Sequence, residues 1–459
     1  MTKILASFMA LAIFASVARA QPAVSLLIDH GYPSTGSLNL GPVLAQVAAK
    51  KGTFHFGSTY DTYEADQSWS TSVFTTFYKH VVSENGCKWD ATEPTQGVSD
   101  LTECLACQQF ATTNGNTFRG HNTFWHSQTP SWLPGSFSAS QLTGTIIPQH
   151  VQQDVQGMGP SVTSWDVVNE VVGDGVSNGM TPLQCVQNKG DWPTVTADGS
   201  GTPLVTDLSF IYAAFNTAFK YAGNSTRLAV NDYKRAQSTG GQDAKTACVI
   251  SLIQNIQQNT DIPYNRLAVG FQSHLTASTG GFYTKQALAT TFSTLASLGV
   301  SAMITEMDIE LASDSSAYLR YQAAIWGDYL DACLYASNCF EFINWDPRDD
   351  LSWRGTAAAA TLFDSNGNPK PPPTRSRRAF RIITLLYVVW YQCLHYYWNQ
   401  HDYYHRDNYI KQLLEFHYDV VLDHDRTRTG PDALGTVWRN RMDGIHHLPV
   451  SPPYYYQCL

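Results

Sequence analysis

Two stretches each carry a carboxylate at the end of an apolar, β-branched run. "SWDVVNE", residues 164–170, closes on Glu170, and "ITEMDIE", residues 304–310, holds Glu306 and Asp308. Paired carboxylates are the equipment of glycoside hydrolysis. One, protonated, gives its proton to the leaving oxygen; the other, ionised, attacks the anomeric carbon or activates a water. Mutual repulsion is expected to push their two pKa values apart and so assign the roles. The plainer alternative is a pair of surface acids at two strand ends. It has to explain why nearly every other strand-like run also stops in polar residues: Glu84 and Asn85, His121 to Gln128, Asn169, Asn231 and Asp232, Gln272 and His274, and Trp345.

Those residues need elements to hold them. Eight strand-like runs occur between residues 54 and 346: "FHFGS", "YKHVVS", "FRGHNTFWH", "VTSWDVVNE", "RLAVNDY", "LAVGFQSHL", "VSAMITEMDI" and "FEFINW". Most intervals are long enough for a helix, such as "SFIYAAFNTAFKYAG" and "TKQALATTFSTLASLG". Strand and helix in alternation imply parallel pairing with right-handed crossovers. Eight repeats predict an α/β fold, a closed (β/α)8 TIM barrel, with its site at the C-terminal ends of the strands. An open doubly wound sheet is the alternative, but no glycine-rich dinucleotide fingerprint follows the first strand.

The motifs "KWDATEP", "RGHNTFWHSQTPSW", "WDVVNE", "NDY", "GFQSHL", "ITEMDIE" and "SWR" together resemble glycoside hydrolase family 10, the endo-β-1,4-xylanases, in order and spacing over about residues 40–370. The resemblance implies retaining hydrolysis through a covalent glycosyl-enzyme, with Glu170 as acid/base and Glu306 as nucleophile. It implies hydrogen bonds to the sugar on the non-reducing side from Glu84, Asn85, Lys88, His121 and Gln128. Trp125, Trp345 and Trp353 would wall that subsite and Tyr233 would stack on the far side. Asn169 would bond the sugar 2-hydroxyl, Gln272 would line the cleft, and His274 with Asp308 would orient Glu306 from behind. His126 is given no role by the motif, and a satisfied core histidine is the alternative. The match also suggests a small disulfide loop between Cys333 and Cys339. Two positions depart from the family pattern, Cys87 where Met is usual and Asp346 where Gly is usual, and both lie beside the expected site. Xylan and xylo-oligosaccharides are the partners implied, with no cofactor and no metal. A β-1,4-glucanase of the same architecture and a non-catalytic xylan-binding protein are the competing functions.

Composition narrows the rest. The 459 residues are 43% hydrophobic and 15% charged, with net charge −9, so a large core is available and no basic surface calls for nucleic acid. Residues 1–20, "MTKILASFMALAIFASVARA", read as a secretory signal peptide ending in a small-x-small site, too short to span a membrane. A secreted, extracellular monomer is expected, with its catalytic domain over 21–370. Nine cysteines permit disulfides but leave one over, and the single C-x-x-C, Cys104 and Cys107, makes zinc a weak reading. Asn224 opens the only N-glycosylation sequon.

Residues 371–459 form an irregular C-terminal extension. They hold seven of the fourteen His and eleven of the twenty-four Tyr. His, Asp, Asn and Tyr codons share a central A and a pyrimidine third base, and read one base later they give Thr when that base is C. A run such as "HDYYHRDNY" then becomes a Thr-rich linker. The same shift lets "ALGTVWRNRMDGI" spell the opening of a fungal family 1 carbohydrate-binding module, and the closing "PYYYQCL" resembles its last strand in the correct frame. The tail is therefore expected to be a mis-framed linker and module, and a genuine novel extension is the alternative.

Overall fold

The structure, a computed structural model, describes residues 54–63, 66–133, 137–189, 206–233, 243–277 and 283–370. The expected signal peptide and the tail from residue 371 lie outside the described residues. The chain divides into two units, Met1–Pro373 and Thr374–Leu459, and every described residue belongs to the first.

Nine strands are described: β1 (His55–Thr59), β2 (His80–Val82), β3 (Thr117–Gly120), β4 (Val162–Asn169), β5 (Arg227–Asp232), β6 (Leu267–Phe271), β7 (His274–Thr276), β8 (Ser301–Glu310) and β9 (Cys339–Asn344). All their pairings are parallel, and β1 against β9, with Gly57 opposite Ile343, closes the sheet into a barrel. The barrel has eight staves, because β6 and β7 both run along β8 and form one interrupted stave. The interruption falls at Gln272 and Ser273, where Ser273 takes a left-handed φ of 65°. The expected single run "LAVGFQSHL" is thus broken just where its polar residues must leave the ladder.

Among the described residues seven longer helices cross over between staves: Gln67–Thr76, Thr102–Thr113, Ile147–Met158, Ser209–Tyr221, Ala244–Asn259, Lys285–Leu298 and Ser316–Tyr335. Local chemistry starts them. The side chains of Asp66, Asp243 and Thr284 each accept a backbone N–H of the first turn. Gly299, at φ 80°, ends Lys285–Leu298 in the left-handed conformation that costs glycine least. Ile147–Met158 buries Ile147, Val151, Val155 and Met158, a stripe of helical period against the barrel. After β9 the described chain makes only two 3₁₀ turns, Asp349–Leu351 and Thr356–Ala358. Trp69 Nε1 donates to the Gly367 carbonyl at 3.2 Å and anchors that last segment to the first helix.

The barrel interior is partly ionic. The fully buried Arg119 guanidinium bonds Asp166 and Glu341, and Ser164 Oγ donates to Glu341 Oε2 at 2.7 Å. Such a core is tolerable only because each charge is compensated. Among the described residues three disulfides join Cys87–Cys104, Cys185–Cys248 and Cys333–Cys339. Cys107, one turn beyond Cys104, keeps a buried free thiol. Among the described residues no helix is long and apolar enough to cross a membrane. Asn224 is exposed.

Candidate active site

The barrel brings the ends of β4 and β8 together through side-chain amides. Glu170 follows β4 with φ 58°, a left-handed conformation that costs a non-glycine residue about 1–3 kcal/mol and is kept where the surroundings impose it. Its N–H donates to the Asn231 carbonyl at 2.8 Å, which holds the turn. Glu306 sits mid-way along β8, its N–H bonded to the Gln272 carbonyl at 3.0 Å. Gln272 Nε2 donates to Glu170 Oε1 at 3.1 Å and to Asn169 Oδ1 at 3.2 Å. Asn231 Nδ2 donates to the same Asn169 oxygen at 2.8 Å and to Glu306 Oε1 at 2.6 Å. A relay of three amides therefore joins the two carboxylates and fixes the orientation of Asn169. Gly270 makes room for it, since a Cβ there would lie 2.2 Å from Asn231 Oδ1.

Behind Glu306 stands an imidazole between two acids. His274 Nε2 is 3.0 Å from Glu306 Oε2 and Nδ1 is 2.9 Å from Asp308 Oδ2. Asp308 also accepts Trp353 Nε1 at 2.7 Å and Arg354 Nε at 2.9 Å. His121 Nδ1 bonds Asp166 Oδ2 at 2.8 Å and lies 3.8 Å from Glu306.

The other residues named from sequence gather on either side. Lys88 Nζ donates to Asn85 Oδ1 at 2.9 Å and to Gln128 Oε1 at 2.6 Å, and lies 5.0 Å from the centre of the Trp125 ring. Trp345 is buried, edge-on to His121 and His274, whereas Trp353 is 54% exposed beside His274. Glu84 is buried among them. On the opposite side Tyr233 is clamped: its hydroxyl donates to Asp174 Oδ2 at 3.0 Å, and Lys245 Nζ lies 3.4 Å over its ring.

Sequence reasoning gave three residues here no role. His126 is no idle core histidine, for its Nε2 lies 3.0 Å from Glu170 Oε2. The quoted motif contains it, but only the fold sets it against the acid. Asn231 was visible merely as a polar strand end, and Asp346 merely as a departure from pattern. Cys87, the other departure, is tied to Cys104.

The electrostatics correct one expectation. Repulsion was expected to drive the two acids apart, yet both are held below the ordinary carboxylate range. Burial pushes Glu170 up, but hydrogen bonds led by His126 and Gln272 outweigh it and lower it to about 2. Burial likewise opposes ionisation of Glu306, and His121 and His274 overcome it; repulsion from Glu170 is the weakest of the effects named. Burial alone would pull His274 down, but Asp308 and Glu306 raise it to about 10. Local hydrogen bonds and the neighbouring imidazoles thus prevail over the like charge. The donor atoms of His121, Asp166 and Glu306 come within 4.8 Å of one another, as metal ligands can. Arg119 and His274 already neutralise those carboxylates, so the set has the chemistry of a charge network.

The fold has counterparts among known proteins. The chain is 32% identical over 337 residues to endo-1,4-beta-xylanase C of Phanerodontia chrysosporium, covering 72% of this chain and 76% of that one. It is 28% identical to endo-1,4-beta-xylanase 2 of Aureobasidium pullulans, covering 74% and 90%. Among solved structures, xylanase 10B from Thermotoga petrophila RKU-1 in complex with xylobiose superposes with TM-score 0.59 at 25% identity, covering 74% of this chain and 96% of that one. The GH10 structure from Paenibacillus barcinonensis gives 0.58 at 26% identity, covering 71% and 94%. The profile described as Glycosyl hydrolase family 10 matches residues 43–376, nearly three quarters of the sequence, and the chain belongs to that family.

Proposed function

We propose that this chain is a secreted, retaining endo-1,4-β-xylanase that cuts internal β-1,4-xylosidic bonds of xylan as a monomer, without cofactor or metal. The observation that carries the reading is the amide relay that sets Glu170 and Glu306 together at the barrel mouth. In the proposed first step Glu306 attacks the anomeric carbon while Glu170 protonates the leaving oxygen, giving a glycosyl-enzyme. In the second, Glu170 takes a proton from water, which displaces Glu306. Unliganded Glu170 is held ionised, so its proton must be gained as the glycan binds. His126 Nε2, 3.0 Å away, shares a hydrogen bond with the same carboxyl. Asn169, oriented by two amide donors, is proposed to bond the sugar 2-hydroxyl. Glu84, Asn85, Lys88, His121 and Gln128 would hold the non-reducing side between the tryptophans, with Tyr233 beyond the scissile bond.

Reducing-sugar release from xylan against carboxymethylcellulose tests the reading. Preferential release from xylan is expected; preference for the cellulose derivative would make the chain a glucanase, and release from neither would leave a binding protein. We also propose glycosylation at Asn224, and that residues 371–459 derive from a mis-framed linker and carbohydrate-binding module. An uninterrupted single-frame transcript through residues 371–450 would end that last reading.

A further inference from the structure

The turn that carries Glu84, Asn85 and Lys88 is shaped from behind by a buried acid outside the scheme above. Asp61 stands two residues past β1, is 2% exposed, and accepts four hydrogen bonds. The Asn85 N–H reaches its Oδ2 at 2.7 Å, and the Tyr63 hydroxyl reaches the same oxygen at 3.1 Å. The Ser83 hydroxyl donates to Oδ1, as does the Cys107 thiol at 3.5 Å. All four of these donors are neutral groups, so the carboxylate serves as a two-oxygen acceptor that closes the turn from Ser83 to Asn85.

Its neighbours brace the same turn. Glu103, on the helix Thr102–Thr113, accepts the Thr62 N–H at 2.5 Å and the Thr62 hydroxyl at 2.6 Å, which fixes the chain just past Asp61. Gly86 leaves the space that Glu103 occupies, since a Cβ there would lie 2.4 Å from Glu103 Cγ. Cys87 is bridged to Cys104 of that helix. The donor atoms of Asp61, Glu103 and Cys107 come within 4.8 Å of one another, as metal ligands can. Each of the four carboxylate oxygens already accepts a backbone N–H or a hydroxyl, which is the chemistry of a hydrogen-bonded brace. What the brace presents is Asn85, whose Oδ1 accepts Lys88 Nζ at 2.9 Å and Gln128 Nε2 at 3.2 Å. Among the described residues Asn85 bonds neither Glu170 nor Glu306, nor the three amides between them.

We infer that Asp61 is a positioning residue: by holding the Asn85 N–H it sets Asn85, Lys88 and Gln128 for the second sugar on the non-reducing side, one unit beyond the sugar that Glu306 attacks. The inference rests on the proposed xylanase reading for its substrate. An apolar side chain at position 61 leaves the Asn85 N–H without its acceptor, and a buried donor left unpaired drives the turn to reorganise until it finds another. Asn85 then leaves its place beside Lys88 and Gln128. Binding energy from a remote sugar is used to orient the reacting one, so the loss appears only on substrates long enough to fill that position. Asparagine at position 61 keeps an oxygen for the Asn85 N–H and turns its NH2 to the Ser83 hydroxyl, which can accept. The geometry therefore survives without the charge.

The test compares, in the full chain, an aryl β-xyloside, which fills only the position under attack, with an aryl β-xylobioside, which fills the next one too. The wild type should prefer the xylobioside in kcat/KM. Asp61→Leu should shrink that preference by up to roughly hundredfold, the scale of an ångström-sized misplacement, with the loss on the xyloside within about twofold. Asp61→Asn should keep the preference. In an Asn85→Ala background Asp61→Leu should remove nothing further, because the two act as one unit. Asp61→Ala, equally without an acceptor, takes the place of the leucine variant if that does not fold; failure of both to fold would make Asp61 a support of the fold at large and overturn the inference. The same pair made with β-glucose and β-cellobiose separates the two readings. A wild-type preference for the cellobioside, lost in Asp61→Leu and kept in Asp61→Asn, would sink the xylanase reading and keep the role of Asp61. Equal losses on short and long substrates, an unchanged preference in Asp61→Leu, the same loss in Asp61→Asn, or no turnover of any of the four by the wild type overturns the inference.

Discussion

Asp308→Asn is the change most sharply set by the geometry. The buried carboxylate accepts three donors, from His274 and Trp353 on one oxygen and from Arg354 on the other. Asparagine keeps one oxygen and turns an NH2 toward a former donor. In the cheaper orientation the oxygen still faces His274 and Trp353, and only the Arg354 contact is lost. Losing a hydrogen bond to a charged group costs about 1.5–3 kcal/mol. At 1.36 kcal/mol per decade that is roughly ten- to hundredfold in kcat/KM, if the cost falls on the transition state. The direction with pH follows as well. Asp308 and Glu306 together raise His274 to about 10 against burial, and without Asp308 it should fall toward its ordinary value. Glu306 then has a weaker cation beside it and ionises less readily, so the acid limb of kcat/KM moves up in pH. Because His274 is raised in the fold, its contribution to stability is whole below about pH 6.5 and is lost as pH rises toward 10; in the variant the contribution should be smaller and its loss complete at a lower pH. Xylan kinetics across pH, with melting curves at the same pH values, read both effects. A variant that melts within about 2 °C of wild type, yet keeps wild-type kcat/KM and an unmoved acid limb, would refute the assignment of His274 and Asp308 as supports for Glu306.

Glu306→Ala should abolish xylan hydrolysis and leave xylan binding measurable by pull-down, and azide should restore turnover with inverted product; near-normal hydrolysis would end the nucleophile assignment. Glu170→Ala should slow xylan far more than an aryl xyloside whose leaving group needs little protonation, and equal losses would remove Glu170 from the acid/base role. Cys185→Ser opens a crosslink between residues 63 apart, worth about 4 kcal/mol by chain entropy. The melting temperature should fall by several degrees with activity on xylan retained, and an unchanged melting curve would show that the bridge constrains little. A chain ending at Lys370 should bind microcrystalline cellulose as well as the full chain does; clearly better binding by the full chain would make the tail a working domain.

Much of the barrel was legible because its signals are local. Each strand is a short β-branched run, each helix cap is a residue beside its own first turn, and the order of strand and crossover leaves few ways to pair in parallel. Glu170 and Glu306 could be read for the same reason, as acids closing apolar runs whose ends a barrel must collect on one face. What surrounds them was not legible, because it depends on residues brought together from far along the chain. Arg119 meets Glu341 across 222 positions, and Thr59 meets Asp346 across 287, over the closing seam between β1 and β9. His126 is an unremarkable member of its motif until β4 places Glu170 against it. The charge states diverge from expectation on the same ground. A pair of acids read as a sequence suggests mutual repulsion, whereas in the fold each has nearer hydrogen-bond donors, and at short range in a buried site those decide ionisation. The sequence by itself determined which chemistry was available and which elements would carry it. Only the tertiary structure decided which partners hold each carboxylate, because burial and partner distance are properties of no single stretch of chain.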